Sequence, residues 1–190
     1  MDAGNPDALP RLGGDSAEQL GGIDIYVHNT SGEAGQDAGG VGEQLHRPDG
    51  AGARCGGEPP RSSPPAVPAC RGLLGTTAAA GTARSASSYS AFKAAATNWT
   101  LGQAQVLGAQ GIRCNVVSPG PIMVPGGDWD RIKGAMPEFF EATAKVHPGG
   151  HIGEVADVAD LVTFLVSPRA KHISGANVTV DGGFLKRVNY

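Results

Sequence analysis

The stretch Ser88-Tyr-Ser-Ala-Phe-Lys-Ala-Ala-Ala96 places a tyrosine and a lysine four residues apart in a segment rich in alanine. This composition predicts a helix, and residues four apart project from the same helix face. A positive charge beside a phenol favours the phenolate and lowers the pKa from its usual value of about 10. Tyr89, with Lys93 one turn away, could therefore exchange a proton with a carbinol oxygen near neutral pH. The alternative is a surface lysine beside a partly buried tyrosine.

Segments on either side of this helix have the pattern of buried strands. Downstream, the run from Ile112 to Val117 ends in a Pro-Gly turn, and the run from Ala176 to Val180 precedes a Gly-Gly turn. Upstream, the run from Gly22 to Asn29 is a further apolar segment with an amide at its end. Apolar residues at helical spacing extend from Val155 to Val166. Strand and helix patterns thus alternate along this part of the chain.

With these patterns in place, the chain resembles the short-chain dehydrogenase/reductase family. The resemblance is clearest over residues 76–184, and it returns from Asp2 to Asn29. The family's Tyr-x-x-x-Lys motif corresponds to Tyr89 and Lys93, and its active-site serine corresponds to Thr76. The resemblance implies an α/β fold with a doubly wound, Rossmann-like parallel sheet, incomplete because its first strands are missing, in a single domain spanning residues 1–190.

The resemblance also implies a nicotinamide cofactor, NAD or NADP, and a small carbonyl or alcohol substrate. Tyr89 would be the general acid in ketone reduction, Lys93 would lower its pKa and hold the nicotinamide ribose, and Thr76 would bind the substrate oxygen. The residues that correspond to the family's cofactor contacts are Asp2, Asn29, Tyr89, Lys93, Pro119, Gly120 and Ile122. A threonine that the family places on the nicotinamide amide is Val124 here.

Two features depart from the family pattern. A dinucleotide fold carries a Gly-rich turn after its first strand, which places the pyrophosphate at a helix N-terminus. No strand pattern precedes Gly13-Gly14, so we expect a truncated chain that binds NAD or NADP weakly. Residues 33–75 are rich in Gly and Pro, and their composition predicts disorder and the loss of a central strand. A shifted coding frame or a decayed paralogue would explain this stretch. The alternative function is that of a truncated, non-catalytic relative with an association role or none.

The segment from Met123 to Pro148 corresponds to the family's mobile substrate lid. Its apolar residues are Trp129, Met136, Phe139 and Phe140. A lid of this kind suggests an apolar or mid-sized carbonyl substrate, and the alternative is a helix that packs on its own domain. His147 and His151 are four residues apart, but the intervening Pro-Gly-Gly prevents the helix that would make them a metal pair. We therefore expect no metal site.

Length and composition limit the remaining possibilities. The 190 residues indicate one domain. A net charge of −3 gives no excess of positive charge of the kind that binds nucleic acid or an anionic membrane. No run approaches the ~18 apolar residues of a membrane span, and the N-terminus lacks a signal peptide pattern. The three cysteines have no Cys-x-x-Cys spacing and cannot all pair. These features predict a cytoplasmic protein, and the depleted core predicts self-association into a homo-oligomer.

Overall fold

The computed structural model describes residues 25–28, 70–80 and 87–186. The sheet in this part of the chain has four strands in the order β1 (Ile25–His28), β2 (Cys70–Leu74), β3 (Arg113–Pro119) and β6 (Asn177–Val180). Every neighbouring pair is parallel. Two short strands, β4 (Ile122–Met123) and β5 (Gly153–Glu154), form a separate parallel pair. The predicted α/β class with a parallel sheet is confirmed.

Four α-helices connect and cover these strands. They are α1 (Ser88–Leu107), α2 (Asp128–Ala135), α3 (Pro137–Val146) and α4 (Val155–Val166). Short 3₁₀ turns occupy Thr77–Ala79, Gly108–Gln110 and Pro168–Ala170. Within the described residues, none of the helices is both long enough and apolar enough to cross a membrane.

Helix α1 packs on one face of the sheet. It begins where the Ser87 side chain accepts a hydrogen bond from the amide of Ser90 at 3.3 Å, which satisfies one of the unpaired amides at a helix start. It leads through a 3₁₀ turn to Gly111, whose φ of 72° is a left-handed conformation that glycine adopts without strain. A core cluster joins the last turns of this helix to β3. Its members are Ala104, Leu107, Ile112 and Cys114.

Helix α4 packs on the other face. A capping box fixes its start: the amide of Glu154 donates to the Asp157 carboxylate at 2.8 Å, and the Glu154 side chain accepts in return. Leu165 of this helix packs with Val117 of β3 and with Ala170. Because alternate side chains of a strand point to opposite faces, β3 contributes Cys114 to the α1 side and Val117 to the α4 side. This strand is therefore buried on both sides.

The prediction that residues 33–75 have lost the central strand is wrong at the end of that segment. Residues Cys70–Leu74 form β2, which lies between β1 and β3 and pairs in parallel with both. Cys70 and Leu73 are 2% and 5% exposed. The sequence Cys-Arg-Gly-Leu-Leu has no apolar alternation, but hydrogen bonds to two neighbouring strands and packing against α4 override that weak local preference. Residues 33–69 lie outside the described part of the chain.

Candidate active site

The carboxyl ends of the parallel strands bring the candidate residues to one edge of the sheet. Thr76 follows β2, Pro119 and Gly120 stand at the end of β3, and Asp181 follows β6. Because neighbouring strands are parallel, these ends lie side by side, which is where ligands bind in open α/β sheets. Helix α1 follows β2 in the chain and packs beside it, so its first turns reach the same edge.

Lys93 is anchored at this edge by the backbone of β2. Its Nζ donates a hydrogen bond to the carbonyl oxygen of Leu74 at 2.8 Å, and the side chain is only 3% exposed. The same Nζ lies 5.9 Å from the centre of the Tyr89 ring, which confirms that the two residues share one helix face. Burial lowers the pKa of Lys93, because removing water disfavours the charged form.

Tyr89 interacts with Thr76. Burial raises the pKa of Tyr89, a hydrogen bond with the Thr76 side chain acts in the opposite direction, and the Asp128 carboxylate adds to the increase. The prediction that the pKa of Tyr89 lies below its usual value is therefore wrong for this structure, because desolvation outweighs the hydrogen bond with Thr76. The phenol remains protonated well above neutral pH, which suits a proton donor.

Thr76 is held in place by the turn that it begins. Its backbone is extended, and its Oγ1 accepts a hydrogen bond from the amide of Ala78 at 3.2 Å at the start of the 3₁₀ turn. The preceding Gly75 is buried, and a Cβ there would lie 2.8 Å from Oγ of Ser118. The close approach of β2 and β3 at this point fixes where Thr76 meets α1.

The loop after β3 packs tightly against the turn after β6. The amide of Gly120 donates to Val180 O at 2.9 Å, and a Cβ on Gly120 would lie 2.7 Å from Cβ of Asp181. Ile122 is in β4 and pairs with Gly153, whose own Cβ would lie 2.7 Å from Cδ1 of Ile122. Gly120 therefore lets two backbones approach where a side chain would collide, whereas the atom nearest to Gly153 is the flexible end of the Ile122 side chain.

The structure thus brings most of the predicted site residues to one edge of the sheet. Those it places there are Thr76, Tyr89, Lys93, Pro119, Gly120 and Ile122. Asp2 and Asn29 lie outside the described residues. The sequence analysis missed Leu74 as the anchor of Lys93, since a backbone carbonyl leaves no side-chain signal. It also missed Asp181, which the turn pattern Asp-Gly-Gly after a strand could have indicated.

The predicted lid forms a helical hairpin beside this edge. Trp129 of α2 stacks on Phe139 of α3, with ring centres 6.2 Å apart and an interplanar angle of 8°. A cavity of about 570 Å³ opens between α3, β4 and the start of α4. Its lining is mostly apolar and consists of Met123, Pro125, Phe140, Ala144, Gly150, His151, Ile152, Glu154, Val155 and Ala156.

Over residues 25–28, 70–80 and 87–186, no three His, Cys, Asp or Glu side chains are grouped so that they could hold a metal ion.

Residues 73–185 match the family model described as enoyl-(acyl carrier protein) reductase. This match covers more than half of the chain and includes every candidate site residue from Thr76 to Ile122. The chain belongs to the short-chain dehydrogenase/reductase family. Among curated relatives, isoepoxydon dehydrogenase of Aspergillus clavatus is 40% identical over 95 residues, which cover 50% of this chain and 37% of the relative.

A second relative of the same family, (3R)-3-hydroxyacyl-CoA dehydrogenase of Mus musculus, is 42% identical over 97 residues, covering 50% of this chain and 35% of the relative. The aligned segments thus span little more than a third of these relatives. A short-chain dehydrogenase/reductase from Brucella melitensis, described as a glucose/ribitol dehydrogenase, is similar in structure, with a TM-score of 0.79 and 25% identity, covering 98% of this chain and 75% of that one.

A short-chain dehydrogenase from Burkholderia cenocepacia, solved in complex with NADP, is also similar in structure. It has a TM-score of 0.75 and 27% identity, and the match covers 97% of this chain and 74% of that one. The order and direction of the described strands are therefore those of a fold that also occurs in a cofactor complex.

Proposed function

We propose that the chain is the proton-transfer part of a nicotinamide-dependent oxidoreductase that interconverts a carbonyl compound and an alcohol. The observation that supports this most is the grouping of three side chains at the carboxyl end of β2. The Tyr89 phenol has a hydrogen bond with Thr76, and the buried ammonium of Lys93 lies 5.9 Å from the phenol ring. This grouping has a proton donor, a hydroxyl that can share the same acceptor, and a fixed positive charge.

The residues divide the work of carbonyl reduction as follows. Tyr89 donates its phenol proton to the substrate oxygen as negative charge develops there, and Thr76 donates a second hydrogen bond to that oxygen. Lys93 stabilises the phenolate that is left behind, because its ammonium is held close by Leu74. In alcohol oxidation the same groups act in reverse, and Tyr89 accepts the proton.

The donors at this edge fit a nicotinamide nucleotide. Lys93 and Tyr89 offer an ammonium and a hydroxyl, which match the diol of a ribose. The loop of Pro119, Gly120 and Ile122 offers backbone groups at the next strand end, where Gly120 packs against Asp181 with no side chain between them. The bound cofactor would supply or accept the hydride. NAD and NADP are equally compatible with these contacts.

The substrate is inferred to be an apolar or mid-sized carbonyl compound. The cavity of about 570 Å³ is within the size range of small-molecule sites, and its walls are mostly apolar. It begins at Met123 and Pro125, directly after the loop that carries Ile122, and Phe140 and Ala144 of α3 form part of its wall. This apolar lining favours a substrate with one polar carbonyl on a larger apolar body.

We also infer a cytoplasmic homo-oligomer. Cys70 and Cys114 are buried free thiols, which suits a reducing compartment. Apolar side chains of α1 and α4 outside the cavity are exposed, with Val106 at 63% and Phe164 at 36%, and such surfaces favour association. Light scattering coupled to gel filtration tests the oligomer, and a monomer at every concentration contradicts it.

A pair of Thr76 variants tests the proposed function. Thr76→Ser keeps the hydroxyl, whereas Thr76→Val keeps the shape and removes it. With NADH or NADPH and a panel of ketones, we expect the Ser variant to keep most of the rate and the Val variant to lose about 10²- to 10³-fold, the effect of one lost oxyanion donor. Calorimetry with each cofactor is run in parallel. If wild-type protein neither binds cofactor nor consumes it, the chain is a non-catalytic relative instead.

A further inference from the structure

One histidine outside the catalytic group is buried between two segments of the chain. His147 directly follows α3 and is only 3% exposed. Its Nδ1 lies 3.1 Å from Thr143 O, and because a carbonyl oxygen only accepts, Nδ1 carries the hydrogen. Nε2 is buried without a hydrogen-bond partner in the described part of the chain.

The ring of His147 packs on the segment that follows β6. Its centre lies 4.8 Å from that of Phe184, at an interplanar angle of 31°. A Cβ on Gly182 would lie 3.5 Å from Cδ2 of His147, and a Cβ on Gly183 would lie 3.1 Å from Cγ of Pro148. The end of the lid hairpin is thus seated on this turn. Both glycines have positive φ, at 56° and 79°, so the tight turn that receives the ring depends on them.

This turn is rigid, and it is also the support of the proposed nicotinamide loop. The Asp181 carboxylate accepts hydrogen bonds from the amides of Gly183 at 3.0 Å and Leu185 at 2.9 Å. On its other side, Asp181 is the residue against which Gly120 packs. One continuous set of contacts therefore runs from α3 through His147 to the turn and on to the loop after β3.

We propose that His147 is a positioning residue that couples the lid hairpin to the proposed nicotinamide loop. The ring holds residues 181–186 through Phe184, and its Nδ1 hydrogen holds the last turn of α3 through Thr143. Through its contacts, this ring transmits movement of the lid hairpin to the turn after β6 and to Gly120. The meaning of the coupling rests on the proposed function, but the contacts can be tested without any activity.

Hydrogen exchange can measure separately the two contacts of His147, its ring packing on Phe184 and its hydrogen bond to Thr143. In His147→Ala, we expect exchange to rise about tenfold in both residues 137–146 and residues 181–186, since the aromatic contact and the hydrogen bond are both lost. Exchange in β3 should stay unchanged. His147→Phe keeps a ring against Phe184, and since Nε2 has no partner it loses only the bond to Thr143. It should restore protection in residues 181–186 and leave the end of α3 fast.

His172→Ala, at an exposed histidine, is the matched control and should leave both segments unchanged. Phe184→Ala should reproduce the effect in residues 181–186, and the double variant with His147→Ala should add less than the sum of the two. Unchanged exchange in residues 181–186 of His147→Ala overturns the proposal. So does a rise of equal size in β3, because that is global loosening, or a Phe variant as fast as Ala in residues 181–186. If the exchange results are as expected but the wild-type protein binds neither NAD nor NADP, the proposed function alone is contradicted.

Discussion

Gly120→Ala places a methyl group where the loop after β3 meets the turn after β6. The new Cβ would lie 2.7 Å from Cβ and 3.0 Å from Cα of Asp181. Carbon atoms in contact prefer separations of about 3.5–4.0 Å, so one of the two backbones must move by roughly 1 Å. Neither is free to move, because Gly120 donates to Val180 O and the Asp181 turn is closed by its own carboxylate.

The expected cost follows from these distances. Overpacking of this kind destabilises proteins by about 1–3 kcal/mol. Replacing glycine by alanine also restricts the unfolded chain, which returns about 0.4–1 kcal/mol. We therefore expect Gly120→Ala to lower the free energy of unfolding by about 1–2 kcal/mol, measured by urea denaturation followed by circular dichroism.

Gly102→Ala is the matched control, since Gly102 lies within α1 and a Cβ there would meet no atom within 4 Å. Alanine is favoured over glycine inside a helix, so this variant should gain about 0.5–1 kcal/mol. The two substitutions are chemically identical and should shift the urea midpoint in opposite directions. If Gly120→Ala is as stable as the wild type, the described approach of the loop to Asp181 is wrong.

Three further predictions concern charged and titratable groups. Arg113→Ala should lower the free energy of unfolding by about 2–4 kcal/mol, because its buried guanidinium donates to three carbonyl oxygens, the nearest at 2.7 Å; Arg131→Ala, at an exposed ion pair, should cost less than about 0.5 kcal/mol in the same urea assay. Lys93→Met should change the free energy of unfolding by less than about 1 kcal/mol, because the lost hydrogen bond is offset by removal of a charge that is costly to bury. The same variant should abolish carbonyl reduction. A loss of stability above about 2 kcal/mol would show that the role of Lys93 is mainly structural. The titration of Tyr89 is obtained as the difference in absorbance between the wild type and Tyr89→Phe, and its pKa should lie above the usual value for tyrosine. Because the folded state holds this proton more tightly than the unfolded state, the free energy of unfolding should fall as pH rises beyond about 10. Ionisation of Tyr89 below the usual pKa would contradict its burial.

The elements with a strong period were predictable from sequence. The alanine-rich stretch that begins at Ser88 predicted a helix, which the structure extends to Leu107 as α1, and the apolar stripe from Val155 to Val166 coincides with α4. Strand β3 was predictable from the apolar residues Ile112, Cys114, Val116 and Val117 and from the Pro-Gly turn at its end, although the buried Asn115 and Ser118 interrupt the apolar pattern. In these segments the buried positions require apolar residues, so the spacing of those residues in the sequence indicates which faces are buried.

Strand β2 was not predictable, because what makes it a strand is not in its own five residues. Arg71 and Gly72 interrupt the apolar pattern, and Gly72 pairs with Val27 on one side and Asn115 on the other. The candidate site likewise has features that the sequence predicted and features that it did not. The spacing of Tyr89 and Lys93 predicted their shared helix face, whereas the anchor of Lys93 is a backbone carbonyl on another element and the raised pKa of Tyr89 depends on burial that only packing creates.

The most direct test of the proposed chemistry is transfer of deuterium from cofactor labelled at C4 to a ketone, compared between the wild type and Tyr89→Phe. The wild type should place the label on the carbinol carbon. The variant should transfer it at least about 100-fold more slowly, since general acid catalysis contributes about 10²- to 10⁴-fold, and should bind cofactor with a similar Kd. If the Phe variant keeps more than about a tenth of the wild-type rate, Tyr89 is not the proton donor.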